Sequence, residues 1–281
     1  MGKSAIRVVL LSLLVISNVS AQAPKHFEPG FNLFSKEQDI QLGQENAAQV
    51  RKQMAMIKDP FLLEYVNHVG KRLADSQEAR NSGFPFTFEV VADPSINAFA
   101  LPGGPMFINT GLLKAVDNEA QLAGVMGHEM SHVILRHGTN QATKSKLIEL
   151  PAVLGAQMTG SSMVGQLEQM GIGLGANSVL LKFSRTAESQ ADITGCRIMA
   201  EAGYNPIEMA KFFDKLNAQG GKNPPQFFSD HPNPDNRSRA IEEEVRALPP
   251  QGYGYQTGEF PHMKQVVSAI HEPPRPKPAA Q

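Results

Sequence analysis

The sequence has 281 residues, 41% of them hydrophobic and 19% charged, with 26 Lys and Arg against 27 Asp and Glu. That apolar fraction excludes a disordered chain, and a formal net charge of -1 gives no electrostatic basis for holding nucleic acid or an acidic membrane surface. Cys196 is the only cysteine, which excludes an intramolecular disulfide framework and any metal site built on several thiolates, so metal ligands have to be His, Asp or Glu.

At the N-terminus, Lys3 and Arg7 precede a mostly apolar stretch from Val8 to Val19, and Val19-Ser20-Ala21 places small residues where a signal peptidase reads them. The stretch is short for a membrane span of about 20 residues. We therefore expect a signal peptide over 1–21, cleaved after Ala21, and a mature chain that is periplasmic or secreted. Ser35-Lys36-Glu37-Gln38 reads as a capping box that opens a helix from about Lys36 to Met56. Asp59-Pro60 opens a second, in which Leu62, Tyr65, Val66, Val69 and Leu73 recur at helical spacing. From Phe86 the period changes to two: Phe86, Phe88 and Val90 alternate with Thr87, Glu89 and Val91. Asn97 to Leu101 and Met106 to Asn109 are two further extended runs, separated by Pro102-Gly103-Gly104. Three strands joined by tight turns predict a small antiparallel sheet within a mostly α-helical, α+β chain.

A helix is predicted from Asp117 to Gly138, with acids early and Arg136 and His137 in its last turn. Leu150 to Leu167 carries no charge and is rich in Gly, Ser, Met and Gln, which predicts a flexible lid or amphipathic hairpin rather than a bilayer span. Helices follow over Ser184 to Gly203, from Asn205-Pro206 through Leu216, and from Asp235 to Leu248. There is no internal repeat and no domain linker. The expected layout is one catalytic domain over 22–258, then a C-terminal helix and a Pro-rich disordered tail over 259–281.

The chemistry concentrates in Gly127-His128-Glu129-Met130-Ser131-His132, an HExxH motif. Four helical residues turn the chain through about 400°, so both imidazoles share one face a turn apart, the spacing two nitrogens need to bind one zinc ion. Glu129 is offset by about 100° and can reach a water beside the metal instead of ligating. Leu122, Val125 and Met126 pack the helix, and Gly127 is expected to leave room beside the metal. A catalytic zinc takes a third protein ligand. His137 lies about 180° from His128 on the same helix and cannot join unless the helix breaks, so it reads as a C-terminal cation or a structural hydrogen bonder. The metzincin pattern needs Gly at 135 and His at 138, where Leu135 and Gly138 stand. Glu188 and Asp192 lie one turn apart on an otherwise mostly apolar helix, so that one carboxylate can bind metal while the other accepts the free N–H of a ligand imidazole. His231, between Asp230 and Pro232, is expected on a rigid extended loop, as a fourth ligand or a transition-state stabiliser.

HExxH, the distant Glu188–Asp192 helix, Asn97-Ala98-Phe99 with Pro102-Gly103-Gly104, Gly111-Leu112-Leu113 and His231-Pro232 together resemble the gluzincin metallopeptidases of the HtpX and CAAX-prenyl-protease type. Within that family the soluble periplasmic branch, with the catalytic domain of the outer-membrane assembly protease, is the best match, over about residues 36 to 246. The resemblance implies a zincin-like domain with one zinc ion per chain, held by His128, His132 and Glu188. It implies Glu129 as general base, Asp192 as the partner of a ligand His, His231 near the zinc, and Arg237 as an orienting or oxyanion-side residue. It places Asn97, Ala98, Phe99 and Ala100 along an extended substrate. The expected activity is hydrolysis of internal peptide bonds in misfolded or unassembled exported proteins, with contact to a membrane or to outer-membrane assembly machinery. The alternative is a chaperone-like periplasmic factor whose zinc site is plugged by His231.

Overall fold

The computed structural model describes residues 24–153, 183–219, 226–232 and 236–273. The expected signal segment, nearly all of the uncharged 150–167 stretch and nearly all of the Pro-rich tail lie outside them.

Helix α1 (Lys36–Gln53) begins at the capping box, where Ser35 accepts from the Gln38 N–H at 3.2 Å and Gln38 reaches back to the Ser35 N–H at 2.8 Å. Helix α2 (Pro60–Ala74) begins at Asp59, and its apolar stripe is buried at all five expected positions. Each such aliphatic side chain contributes about 1.5–3 kcal/mol of burial free energy. A short helix, α3 (Gln77–Ser82), follows.

The sheet comprises β1 (Thr87–Val91), β2 (Ala98–Ala100) and β3 (Pro105–Asn109), in the order β1-β3-β2. It is mixed, not antiparallel: β2 pairs antiparallel with β3, but β1 runs parallel to it. The reason lies in the Ala92–Asn97 link, which carries the chain across to the far edge instead of folding back. The tight turn at Gly103 and Gly104, with φ of 78° and 121°, then returns β3 between the other two. The outer edge of β1 is covered by backbone bonds from Ile57 and to Ala55.

After α4 (Thr110–Ala115), helix α5 (Glu119–Ile134) runs through the core and carries the HExxH residues. It stops short of its predicted end. Arg136 adopts φ 56°, in the left-handed region, and α6 (His137–Val153) starts in a new direction. The break is held from α1 and the residues just before it: the Arg136 guanidinium donates to Asp39 at 2.6 Å and to the Phe34 carbonyl at 2.6 Å, and Asp39 is buried.

Helix α7 (Arg185–Glu201), capped by Ser184, crosses α5 at Gly195 and Gly127. A Cβ on Gly195 would stand 3.0 Å from the Gly127 carbonyl carbon and the His128 nitrogen. Gly127 thus makes room for the neighbouring helix, where the sequence suggested space beside a metal. Helices α8 (Ile207–Gln219), α9 (Gln226–Asp230), α10 (Arg237–Ala247) and α11 (Phe260–Ser268) complete the shell, and Met263 and Val267 of α11 enter the same core as α2 and α5. No helix among the described residues is long and apolar enough to cross a membrane.

Candidate metal centre

The close crossing of α5 and α7 sets Glu188, two turns before Gly195, against the HExxH face. His128, His132, Glu188 and His231 are all buried, and each offers a ligand atom within 4.8 Å of the others. The Nε2 atoms of His128 and His132 are 3.1 Å apart. Glu188 Oε2 is 3.4 Å from His128 Nε2, and Oε1 is 3.5 Å from His132 Nε2. His231 Nδ1 is 3.3 Å from His128 Nε2 and 3.1 Å from Glu188 Oε1.

These separations fit a small cation, because ligands about 2.0–2.2 Å from a tetrahedral centre stand about 3.4 Å apart. The remaining atoms agree. The His128 Nδ1–H donates to Asp192 Oδ1 at 2.8 Å, leaving the Nε2 lone pair facing inward. Glu188 Oε2, fully buried, accepts no hydrogen bond. Acceptor lone pairs converging in a dry site need a positive charge to be stable. Nitrogen and carboxylate donors without thiolates suit zinc among the common ions.

Local electrostatics carry the same stamp. Among the protein groups alone, burial and the Arg237 charge would lower the His128 pKa, but the Asp192 and Glu188 carboxylates outweigh them and push it up to about 9, so the site favours a positive charge at this point. Burial would raise Glu188, and the His128 and His231 imidazoles beside it hold it far below the usual carboxylate range. Burial lowers His132 well below its ordinary value. Glu129 is raised, chiefly by burial, which suits a carboxylate that has to take up a proton near neutrality. It sits 3.2 Å from His231 Nε2.

The other expected residues are placed as follows. Arg237 lies behind Asp192, donating to it at 2.7 Å, with its guanidinium 3.6 Å over the Phe213 ring. It therefore braces the His128 partner, and its Nη2 also lies 3.4 Å from His128 Nε2 and 3.8 Å from Glu188 Oε2. His231 is not on an extended loop: its N–H donates to the Phe227 carbonyl at 2.8 Å, closing the last turn of α9. The Asn97 side chain is buried and donates to Asp230 at 3.0 Å, tying the strand to the helix that ends at His231. The Phe99 ring stacks on Phe107 at 5.1 Å. Asn97 and Leu101 make backbone bonds to β3, so alternation directs the backbone groups of Ala98 and Ala100 to the free edge, on the Glu129 side.

Of the two readings of His137, the structure supports the structural hydrogen bonder, placed by a helix break that the sequence does not signal. The break at Arg136 swings it back beside His132, with the two Nδ1 atoms 3.0 Å apart. Neither Gly nor Asn marks the left-handed position, so nothing local announced the turn.

The model of peptidase family M48 matches residues 62–245. The chain is 32% identical over 71% of its length to the beta-barrel assembly-enhancing protease of Escherichia coli, and 33% identical over 72% to that of Yersinia pestis. It is 32% identical over 64% of its length to the mitochondrial metalloendopeptidase OMA1 of Schizosaccharomyces pombe, of which the match covers 52%. The chain spans 42% and 43% of the two bacterial relatives.

Proposed function

The chain belongs to peptidase family M48 and is a metallopeptidase, and on that premise we propose that it is a zinc-dependent endopeptidase acting on misfolded or unassembled exported proteins in the periplasm. The observation that carries this reading is the dry convergence of His128, His132 and Glu188, with Glu129 alongside. In this reading those three residues hold one zinc ion per chain. Zinc supplies a Lewis acid that brings the pKa of water down to about 7 and polarises a carbonyl.

The protein's own groups do the rest. Glu129 takes a proton from the attacking water and returns it to the departing amine. Asp192 keeps the His128 proton on Nδ1, and Arg237 keeps Asp192 in place. The free edge at Ala98 and Ala100 receives an extended chain by strand addition, which gives affinity with little sequence choice and suits unfolded substrates. The relatives named for β-barrel assembly support a role in envelope quality control, and with it contact to assembly machinery.

Glu129→Gln is expected to keep zinc and lose about 10²–10⁴-fold in casein cleavage. Full cleavage in that variant, or cleavage indifferent to a chelator, would sink the reading. His231 favours a second state. Its contacts with His128, Glu188 and Glu129 support a plug that keeps the site closed, as a chaperone-like factor with latent activity would need. A rise in cleavage on His231→Ala supports the plug; a fall assigns His231 to the reaction.

A further inference from the structure

On the His132 side of the centre, past the break after Ile134, buried polar groups form a chain that the proposed reaction does not use. His132 Nδ1 is 3.0 Å from His137 Nδ1, and His137 Nε2 is 3.2 Å from Gln190 Oε1. His132 and His137 are buried. Phe183 stacks on the His132 ring with centroids 4.1 Å apart and planes 24° apart, while the His137 ring meets it at 72°.

Proton accounting fixes every role in this chain. A His132 that offers Nε2 as a ligand has no proton there, so the neutral ring carries its proton on Nδ1. His137 Nδ1 then has to accept, which places the His137 proton on Nε2. That proton goes to Gln190 Oε1. All three groups are neutral, and each acts once.

We propose that His137, fixed by Gln190, is a positioning residue that accepts the Nδ1–H of His132 and so sets the tautomer and angle of that metal ligand. The inference rests on the metallopeptidase reading. It makes α7 the brace for both imidazoles: Asp192 reaches His128 directly with a carboxylate, whereas Gln190 reaches His132 through a second imidazole. It also gives the left-handed Arg136 and its bond to Asp39 a purpose, since an unbroken α5 would point His137 away.

The test is zinc affinity by competition with a fluorescent chelator on the full chain, with a thermal melt of each zinc-free variant. His137→Phe keeps a ring but removes the acceptor, and zinc binding is expected to weaken about 10–100-fold. His137→Asn, whose Oδ1 can stand where Nδ1 was, is expected to recover most of that loss, which a purely space-filling role would not do. Gln190→Leu, on the half-buried end, is expected to weaken binding less, in the same direction. Zinc held by His137→Phe as tightly as by the parent, or no recovery in His137→Asn, overturns the inference while leaving the metal site intact. If His137→Phe does not fold, unchanged affinity in Gln190→Leu overturns it. A parent chain that binds no zinc fails the underlying reading instead, and the inference with it.

Discussion

Helix α5 carries a buried polar cluster at each end, and the two are built on opposite principles. At its first turn the Glu119 carboxylate accepts from Tyr65 Oη at 3.1 Å, Tyr204 Oη at 3.0 Å and the Thr257 N–H at 3.0 Å, and it also bonds the Thr257 hydroxyl. Burial and the Glu119 charge push both phenols up, so they stay protonated donors. Donors surround one acceptor, and the cluster closes on itself, tying α2, the end of α7 and the segment before α11 to one point. At the other end, acceptors face acceptors, and Glu188 Oε2 is left without a hydrogen bond. On this helix, the end where converging acceptors lack donors is the end that calls for a further ligand.

That contrast can be broken or sharpened by measurement. The largest effect on stability is expected from the metal. Zinc at about 1,000 times its Kd should raise the unfolding free energy by about 4 kcal/mol, and a chelator should remove that gain. A melt unmoved by zinc would erase the difference between the two clusters. Next, Glu119→Ala strands two buried hydroxyls and should cost about 3 kcal/mol in chemical denaturation, since bonds to a charged group are worth about 1.5–3 kcal/mol each. Zinc affinity of the folded variant should be unchanged; a matching loss of zinc would mean that the two ends act as one unit. Smaller still, Gly195→Ala should cost about 1–3 kcal/mol, because the added methyl meets the α5 backbone at 3.0 Å and the helices have to separate. Here zinc affinity should fall as well, because Glu188 and Asp192 move with α7.

The sequence made legible what local chemistry decides. The caps at Ser35 and Asp59 formed as read, because a side chain and an N–H three residues away suffice to make them. The pairing of HExxH with Glu188 and Asp192 was legible because helical spacing fixes which residues share a face, and both acids proved buried. What failed depends on distant partners. The parallel pairing of β1 needs the path of the Ala92–Asn97 link, and the break at Arg136 needs Asp39 on α1. His231 joined a helix turn because Phe227 packs inward beneath it, stacking on its ring at 4.7 Å. The role of Gly127 became visible only with Gly195 opposite. Glu119 gave no signal, since a lone acid at a helix start reads as an ordinary first-turn residue.

The measurement closest to the central claim is zinc stoichiometry by equilibrium dialysis, on the parent chain and on Glu188→Ala. The account predicts one zinc per parent chain and far weaker binding in the variant, whose fold should survive. A parent chain that takes up no zinc, or a variant that holds it equally well, would contradict the assignment of His128, His132 and Glu188 as a metal centre.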